Sequence, residues 1–189
     1  ASQLPADGLR IVYTGTMGEA NALDTLVKAA ALLRDLPDVH ILLVGQGRSR
    51  ADLEARRDAL GLKNVRFLGS VPKRQVQSVL AECDACYIGM TAHPLFRFGV
   101  SPNKLFDYLL SGKPIVYGID SGEFNPVERH GAGLTVPAED SVAVAAAIRR
   151  LHSMPEQERR QMGENGHRAA MEHYDYAQLA RRLEKILIG

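Results

Sequence analysis

SPNKLFDYLLSGKPIV, residues 101–116, is the stretch that decides the fold, because it predicts a helix that leads directly into a buried strand. Ser101 is a good helix N-cap, and Pro102 suits the first helical position, where a missing N–H group costs nothing. Gly112 ends the predicted helix, and the residues after it open an apolar strand. The segment therefore predicts one helix–strand step of a larger alternating pattern.

Apolar strands alternate with amphipathic helices on both sides of this segment. Six strands are predicted, over residues 10–14, 39–44, 65–68, 85–88, 115–117 and 134–136, with helices over 22–35, 50–60, 73–82, 102–111, 123–130 and 141–152. Apolar strands separated by helices are typical of a parallel sheet covered on both faces. We therefore expect a doubly wound parallel α/β domain, Rossmann-like, with six strands in the order 3-2-1-4-5-6.

Composition disfavours several classes of partner. Of the 189 residues, 46% are hydrophobic and 24% are charged, and the formal net charge is +1. This balance gives no global field that would attract nucleic acid or a membrane surface. No apolar run approaches the roughly 20 residues that a membrane-spanning helix needs, and two cysteines cannot build a disulfide scaffold. We expect a cytoplasmic protein with no transmembrane segment and no nucleic-acid partner.

The two ends of the chain predict its domain organisation. Residues 1–8, ASQLPADG, are polar and include no initiator Met, which is typical of a linker within a longer protein. Residues 9–189 are then one domain. Two charged helical stretches, at about 155–172 and 175–188, add no strand. Either they form a solvated cap on this domain, or they pack on an N-terminal domain that precedes it.

The start of the helix after Ser101 is the candidate binding site. Backbone N–H groups left free at a helix start, together with the helix dipole, can hold an anion. Lys104 adds a full positive charge in the first turn. Asp107 lies three residues later on the same face, where its carboxylate could accept hydrogen bonds from sugar hydroxyls. The combination suits a nucleoside diphosphate, although Lys104 and Asp107 could instead form a surface ion pair.

Two loops, the one after the first strand and the one before the helix, are expected to meet at this helix start, because ligands bind where the winding of an open sheet reverses. The loop after the first strand contains Gly15, Thr16 and Gly18, whose glycines either allow a close approach of a ligand or simply form a turn. The loop before the helix contains Arg97, which is either a phosphate ligand or an ordinary surface residue. The backbone of residues 68–71 could meet the edge of a flat base, or could be only a turn.

Other chemistries have weaker support. The dinucleotide motif G-x-G-x-x-G and the P-loop motif are absent, and so are the hydrolase motifs G-x-S-x-G and H-E-x-x-H. Cys83 and Cys86 form a single C-x-x-C without a second pair, so we expect buried structural thiols and no zinc site. No nucleophile–base pair stands out, and we assign no catalytic residue and no metal ligand.

At this point a family resemblance is clear. Over about residues 9–180 the chain resembles the C-terminal, donor-binding domain of GT-B glycosyltransferases in the large retaining group known as family 4. The resemblance rests on YTGTMGEANALDTLVKAAALL at 13–33, LGLKNVRFLGSVP at 60–72 and the segment SPNKLFDYLLSGKPIV. The pattern P-[SN]-K-L-F-[DE]-Y-L is similar to that of the subgroup that builds bacterial surface polysaccharides.

The resemblance implies roles for individual residues. Asp107 matches the second acidic residue of the E-x7-E signature, which binds the ribose hydroxyls. The backbone of residues 102–104 (Pro102, Asn103 and Lys104) matches the segment that meets the diphosphate, and Gly15 and Gly18 match the loop that faces the phosphates. The segment from Leu68 to Val71 resembles the strand end that contacts the base.

The chain departs from the family pattern at two places. The first Glu of the signature, which contacts the donor sugar, would fall at Gly99. The Arg and Lys that many members place after the first strand are replaced by MGEANALD. Lys104 or Arg97 is then expected to supply the missing positive charge.

The implied function is to bind a UDP- or GDP-linked donor sugar for a glycosyltransferase that transfers it to a glycan or a lipid-linked acceptor, in polysaccharide biosynthesis. The resemblance implies a metal-independent, cofactor-free reaction with retention of anomeric configuration, for which a front-face route is favoured. The acceptor would bind mainly to an N-terminal domain, which would also carry any peripheral attachment to the inner membrane, and the present chain alone would transfer nothing. Two alternatives remain: a nucleotide-sugar epimerase on the same fold, and a non-catalytic nucleotide-binding module.

Overall fold

Six parallel strands form one sheet in the computed structural model, which describes residues 4–174, 184 and 186. The strands are β1 (Leu9–Thr14), β2 (Val39–Val44), β3 (Val65–Leu68), β4 (Ala85–Gly89), β5 (Ile115–Gly118) and β6 (Gly133–Thr135). Their order is β3-β2-β1-β4-β5-β6. The predicted doubly wound α/β fold and its strand order are therefore confirmed. The winding reverses between β1 and β4, which pair directly through Ile11 and Ala85.

The helices of the described residues agree with the predicted pattern, with shifts at their ends. They are α1 (Leu23–Ala31), α2 (Arg50–Ala59), α3 (Val76–Ala81), α4 (Asn103–Leu110), α5 (Pro126–His130), α6 (Ser141–Ser153) and α7 (Glu156–His173), with short 3-10 segments at Glu19–Asn21, Lys73–Gln75, Pro94–Phe98 and Gly122–Phe124. The prediction of a helix to residue 35 is wrong, because the helix ends at Ala31 and turns lead to Pro37, which disfavours helical backbone before it. The helix predicted at 175–188 falls largely outside the described residues.

Strand β1 shows why the sheet is buried on both faces. Its alternate side chains enter two separate apolar cores: Ile11 and Tyr13 join the core under α1 and α6, and Val12 joins the core under α4 and α7. All three are fully buried. A strand covered on both sides needs apolar residues at every position, which explains the uninterrupted run IVY in the sequence.

Helix α7 packs closely on the helix that begins the candidate site. A Cβ atom added to Gly163 would lie 1.8 Å from the carbonyl oxygen of Gly112, just after the end of α4. Only glycine allows this approach of the two backbones. The buried face of α7, which includes Gly166 and Ala170, therefore rests on this domain. Within the part of the chain that the structure describes, no helix is long and apolar enough to span a bilayer.

Both cysteines are buried free thiols, as expected from their position between a helix end and a strand start. Burial raises the pKa of Cys83 to about 12, and Cys83 donates a hydrogen bond to the carbonyl oxygen of Val79 at 3.3 Å. Burial also raises the pKa of Cys86. These thiols are protonated at neutral pH and belong to the core.

Candidate functional site

A cavity of about 470 Å³ opens at the carboxyl ends of β1, β2 and β3 and at the start of α4. It lies where the winding of the sheet reverses, the position at which open α/β sheets bind ligands. The residues that line it come from four parts of the chain: Thr14, Gly15 and Thr16; Val44, Gly45 and Gln46; Ser70, Val71, Lys73 and Val76; and Asn103, Lys104 and Asp107.

Helix α4 begins at Asn103 without a side-chain cap. The prediction that Ser101 caps it is wrong, because Pro102 has extended backbone (φ −67°, ψ 128°) and itself occupies the N-cap position, so that Ser101 lies outside the helix. No side chain in the described ranges caps the first turn of α4, whose residues Asn103 and Lys104 line the cavity. The helix start therefore has N–H groups without a side-chain partner among the described residues, and the predicted anion site there stays a prediction.

The ammonium group of Lys104 lies against the loop that follows β1. Its Nζ donates hydrogen bonds to the Tyr13 hydroxyl and to Asn21 Oδ1, both at 2.7 Å. A Cβ atom added to Gly15 would lie 3.1 Å from Lys104 Cε, so the glycine makes room for this side chain. Burial lowers the pKa of Lys104 to about 8. A partly desolvated cation thus faces a glycine turn, an arrangement that favours an anionic ligand.

Asp107 lies one turn further along α4, and its partners come from the segment after β3. Lys73, in the loop after β3, donates a hydrogen bond to Asp107 Oδ2. Gln77 Nε2 donates to the main-chain oxygen of Asp107 at 3.0 Å. The expected alternative of an ion pair between Lys104 and Asp107 is wrong, since each has other partners. The Asp107 carboxylate retains lone pairs for further donors such as a vicinal diol.

Two glycine loops pack together at the floor of the cavity. Gly15 has φ +131°, and its N–H group donates to the carbonyl oxygen of Val44 at 2.9 Å. Gly45 has φ +146°, and a Cβ atom there would lie 2.0 Å from the Gly15 carbonyl oxygen. Gly18 differs, because its φ of −117° suits any residue and a Cβ atom added there would meet no atom closer than 3.9 Å. Gly18 therefore has no positive φ, and its expected close approach to a ligand stays a prediction.

The structure brings some of the predicted site residues together and leaves others apart. Gly15, Thr16, Val71, Asn103, Lys104 and Asp107 line the cavity. Gly18, Leu68, Arg97, Ser101 and Pro102 are not among its lining residues. The Leu68 carbonyl oxygen already accepts hydrogen bonds from Gly45 N and Arg50 Nη1, and the Arg97 guanidinium lies over the Phe98 ring at 4.7 Å. Ser101 lies in a neighbouring groove with Gly99 and Phe124.

Sequence reasoning missed several residues of the cavity. Lys73 follows the strand end already predicted to contact a base, but a lone lysine in a turn carries no distinguishing signal. Gln46 lies in a tight glycine turn after β2, and such a turn is more often structural than part of a site. Tyr13 and Asn21 do not line the cavity themselves, but they accept hydrogen bonds from Lys104, which does. A tyrosine in an apolar strand is usually a core residue, so only the fold reveals its hydroxyl as an acceptor for the lysine.

The described residues that line the cavity include one carboxylate, Asp107, and neither histidine nor cysteine, so they do not form a set of metal ligands. Across residues 4–174, together with 184 and 186, no group of three or more His, Cys, Asp or Glu side chains could hold a metal ion. The positive charges available at the cavity are those of Lys73 and Lys104.

Comparisons with known proteins identify the family of the chain. The sequence model of the family described as glycosyl transferases group 1 matches residues 8–154. The chain is 39% identical over 155 residues to the putative colanic acid biosynthesis glycosyl transferase WcaI of Escherichia coli, with 80% of this chain and 37% of that protein covered. It is 30% identical over 154 residues to the lipopolysaccharide core biosynthesis glycosyltransferase LpsD of Rhizobium meliloti, with 81% of this chain and 42% of that protein covered.

Solved structures share the fold. HepE from Anabaena, crystallised with UDP-glucose, superposes with a TM-score of 0.78 at 21% identity, covering 96% of this chain and 49% of HepE. The six-stranded domain thus has the fold of the C-terminal domains of GT-B glycosyltransferases. The present chain spans 32–42% of the lengths of the curated relatives that it matches.

Proposed function

The chain belongs to the glycosyl transferases group 1 family, and from that premise we propose that it binds the nucleotide-sugar donor of a glycosyltransferase of polysaccharide biosynthesis. One observation carries the proposal: Lys104 and Asp107, on one short helix, line the same cavity as the Gly15 turn at the reversal point of the sheet. A cation for phosphate and a carboxylate for hydroxyl groups are thereby placed one helical turn apart.

The diphosphate of the donor binds between the Gly15 loop and the first turn of α4. The uncapped N–H groups of that turn and the Lys104 ammonium both favour negative charge. The sequence MGEANALD offers no cation in the loop after β1, so Lys104 supplies the charge. During transfer, the bond between the anomeric carbon and the β-phosphate oxygen breaks, and the same groups stabilise the charge that develops on the leaving diphosphate.

The nucleoside extends from the diphosphate toward the ends of β2 and β3. Asp107 accepts hydrogen bonds from the ribose hydroxyls, and Lys73 remains beside the Asp107 carboxylate. Val44, Val71 and Val76 provide apolar surface for the base, while Ser70 and Gln46 provide polar groups at its edge. These groups suit a flat base in general, and the resemblance to family 4 glycosyltransferases makes UDP- or GDP-linked sugars the proposed donors.

Transfer requires more than this domain. We place residues 1–8 in a linker and residues 9–189 in one donor-binding domain, with the glycan or lipid-linked acceptor on an N-terminal domain of the same protein. The share of the relatives that the chain spans supports this arrangement. The roles of those relatives in lipopolysaccharide core and colanic acid biosynthesis support a role in polysaccharide synthesis. We further infer a retaining, metal-independent reaction of the family 4 type in the cytoplasm, and no transfer by this chain alone.

A thermal-shift panel tests the proposal. A ligand that binds the native state raises the melting temperature, and the shift grows with its affinity. We expect UDP-sugars or GDP-sugars to raise the melting temperature of the chain, with a smaller effect of ADP-sugars. The absence of any shift at millimolar concentration of all three classes contradicts the proposal.

A further inference from the structure

Lys104, Tyr13 and Asn21 form a closed ring of hydrogen bonds with one main-chain carbonyl. Lys104 Nζ donates to the Tyr13 hydroxyl and to Asn21 Oδ1, at 2.7 Å in each case. The Tyr13 hydroxyl donates to the carbonyl oxygen of Thr16 at 2.6 Å, and Asn21 Nδ2 donates to the same oxygen at 3.0 Å. The ring joins strand β1, the loop after it and helix α4.

The ring fixes which atom of each side chain faces the ammonium group. The Tyr13 hydroxyl donates its single proton to the Thr16 carbonyl oxygen, so the hydroxyl oxygen is free to accept from Lys104. The Asn21 NH₂ group donates to the Thr16 carbonyl oxygen, so the amide oxygen of Asn21 must face Lys104. Because both acceptors are uncharged, they hold the ammonium group without neutralising it. A carboxylate in either place would pair with the cation and compete with an anionic ligand.

An ammonium group has three N–H donors, and the ring uses two of them. The described part of the chain gives no third acceptor for Lys104 Nζ, and Lys104 lines the cavity while Tyr13 and Asn21 do not. We propose that Asn21 and Tyr13 are positioning residues that direct the remaining N–H of Lys104 toward a diphosphate oxygen of the ligand. This inference rests on the proposed function.

The ring also orders the lysine before the ligand arrives. A free lysine side chain loses rotamer freedom when it binds an anion, which weakens binding. Here the Lys104 ammonium already has two partners and lies 4.4 Å from the centroid of the Tyr13 ring. The diphosphate then gains a charged hydrogen bond from a group that hardly needs to reorganise.

A double-mutant cycle on the full chain tests the inference, with UDP and uridine as the probes. Asn21→Ala is expected to weaken UDP binding about three- to tenfold and to leave uridine binding unchanged, because only the diphosphate reaches the lysine. Asn21→Asp keeps the shape of the side chain but adds a charge, and is expected to weaken UDP binding further. Tyr13→Phe removes the other acceptor and keeps the Asn21 contact, so it is also expected to weaken UDP binding and to leave uridine binding unchanged.

The decisive arm repeats Asn21→Ala in a Lys104→Met background, where it should have no further effect on UDP affinity. An effect that persists there, an equal loss for uridine and UDP, or Asn21→Asp binding UDP as tightly as the wild type overturns the inference. GDP and guanosine replace the uridine pair if GDP binds the wild type more tightly. If the wild type binds neither UDP nor GDP, the proposed function is contradicted. If the wild type binds one of them but Asn21 and Lys104 show no coupling, only the present inference is contradicted.

Discussion

The ammonium group of Lys104 donates a hydrogen bond to the Tyr13 hydroxyl at 2.7 Å, so helix α4 and strand β1 meet through this bond at the edge of the cavity. The contact holds the one cation of α4's first turn against the loop where the sheet reverses. A partly desolvated lysine in this position links the binding of an anion to its own protonation.

Binding of UDP should therefore depend on pH. Burial lowers the pKa of Lys104 to about 8, so the free protein holds the ammonium form below that pH and loses it above. A diphosphate prefers the ammonium form, so UDP affinity should fall as the pH rises from 7 to 9. The terminal phosphate of UDP titrates near pH 6, roughly, and stays ionised across this range. Calorimetry at several pH values should show no such fall for Lys104→Met; an equal fall in both proteins contradicts this role.

Asp107 should affect every nucleoside to the same extent. If its carboxylate accepts the ribose hydroxyls, Asp107→Ala weakens uridine, UMP and UDP alike, by roughly 1–3 kcal/mol, the usual scale for a hydrogen bond to a charged group. A 2′-deoxy ligand should bind the variant and the wild type with more similar affinities. Lys73→Ala is the matched control, because it removes the present partner of Asp107 without removing the carboxylate. A folded Asp107→Ala protein with unchanged affinity excludes the ribose contact.

Gly45 should tolerate no side chain. Its φ of +146° and the 2.0 Å approach of a Cβ atom to the Gly15 carbonyl oxygen mean that Gly45→Ala must displace the Gly15 loop. We expect a loss of more than about 3 kcal/mol in the free energy of unfolding, or failure to fold. Gly69 is the control in the next loop, since nothing lies within 4 Å of a Cβ atom there. Denaturant melts that give Gly45→Ala and Gly69→Ala equal stability would show that the two loops do not pack as described.

Ser101 should contribute little to stability, whereas Asp140 should contribute much more. Asp140 Oδ1 accepts a hydrogen bond from Ala143 N at 2.8 Å and caps α6, while Ser101 caps no helix. Asp140→Ala should cost about 1 kcal/mol of unfolding free energy, and Ser101→Ala less than about 0.5 kcal/mol. Thermal melts of the two variants compare them directly, and a larger loss for Ser101→Ala would restore the sequence-based prediction.

The strands could be predicted because each strand is a short, uninterrupted apolar run between helices. That pattern is typical of a parallel sheet covered on both faces. The predicted order rests on assuming the common 3-2-1-4-5-6 arrangement, because right-handed crossovers alone also allow other doubly wound orders. The meeting of Lys104 with Gly15 could be predicted for the same reason, since β1 and β4 are neighbours at the reversal point.

The finer parts of the site depend on backbone angles and on distant contacts, which a pattern does not specify. The sequence Ser-Pro predicts a capped helix, but the extended angles of Pro102 move the N-cap by one residue. Gly18 looks like the functional glycine of its loop, although its φ is ordinary. The acceptor role of Asn21 requires a loop folded so that one amide reaches both Thr16 and Lys104.

The central claim is that the start of α4 and the Lys104 ammonium bind a diphosphate, and calorimetry of UDP against uridine, and of GDP against guanosine, tests it most directly. At pH 7 we expect one of the diphosphates to bind at least about tenfold more tightly than its nucleoside, the value of one charged hydrogen bond. Equal affinities within both pairs would contradict the claim.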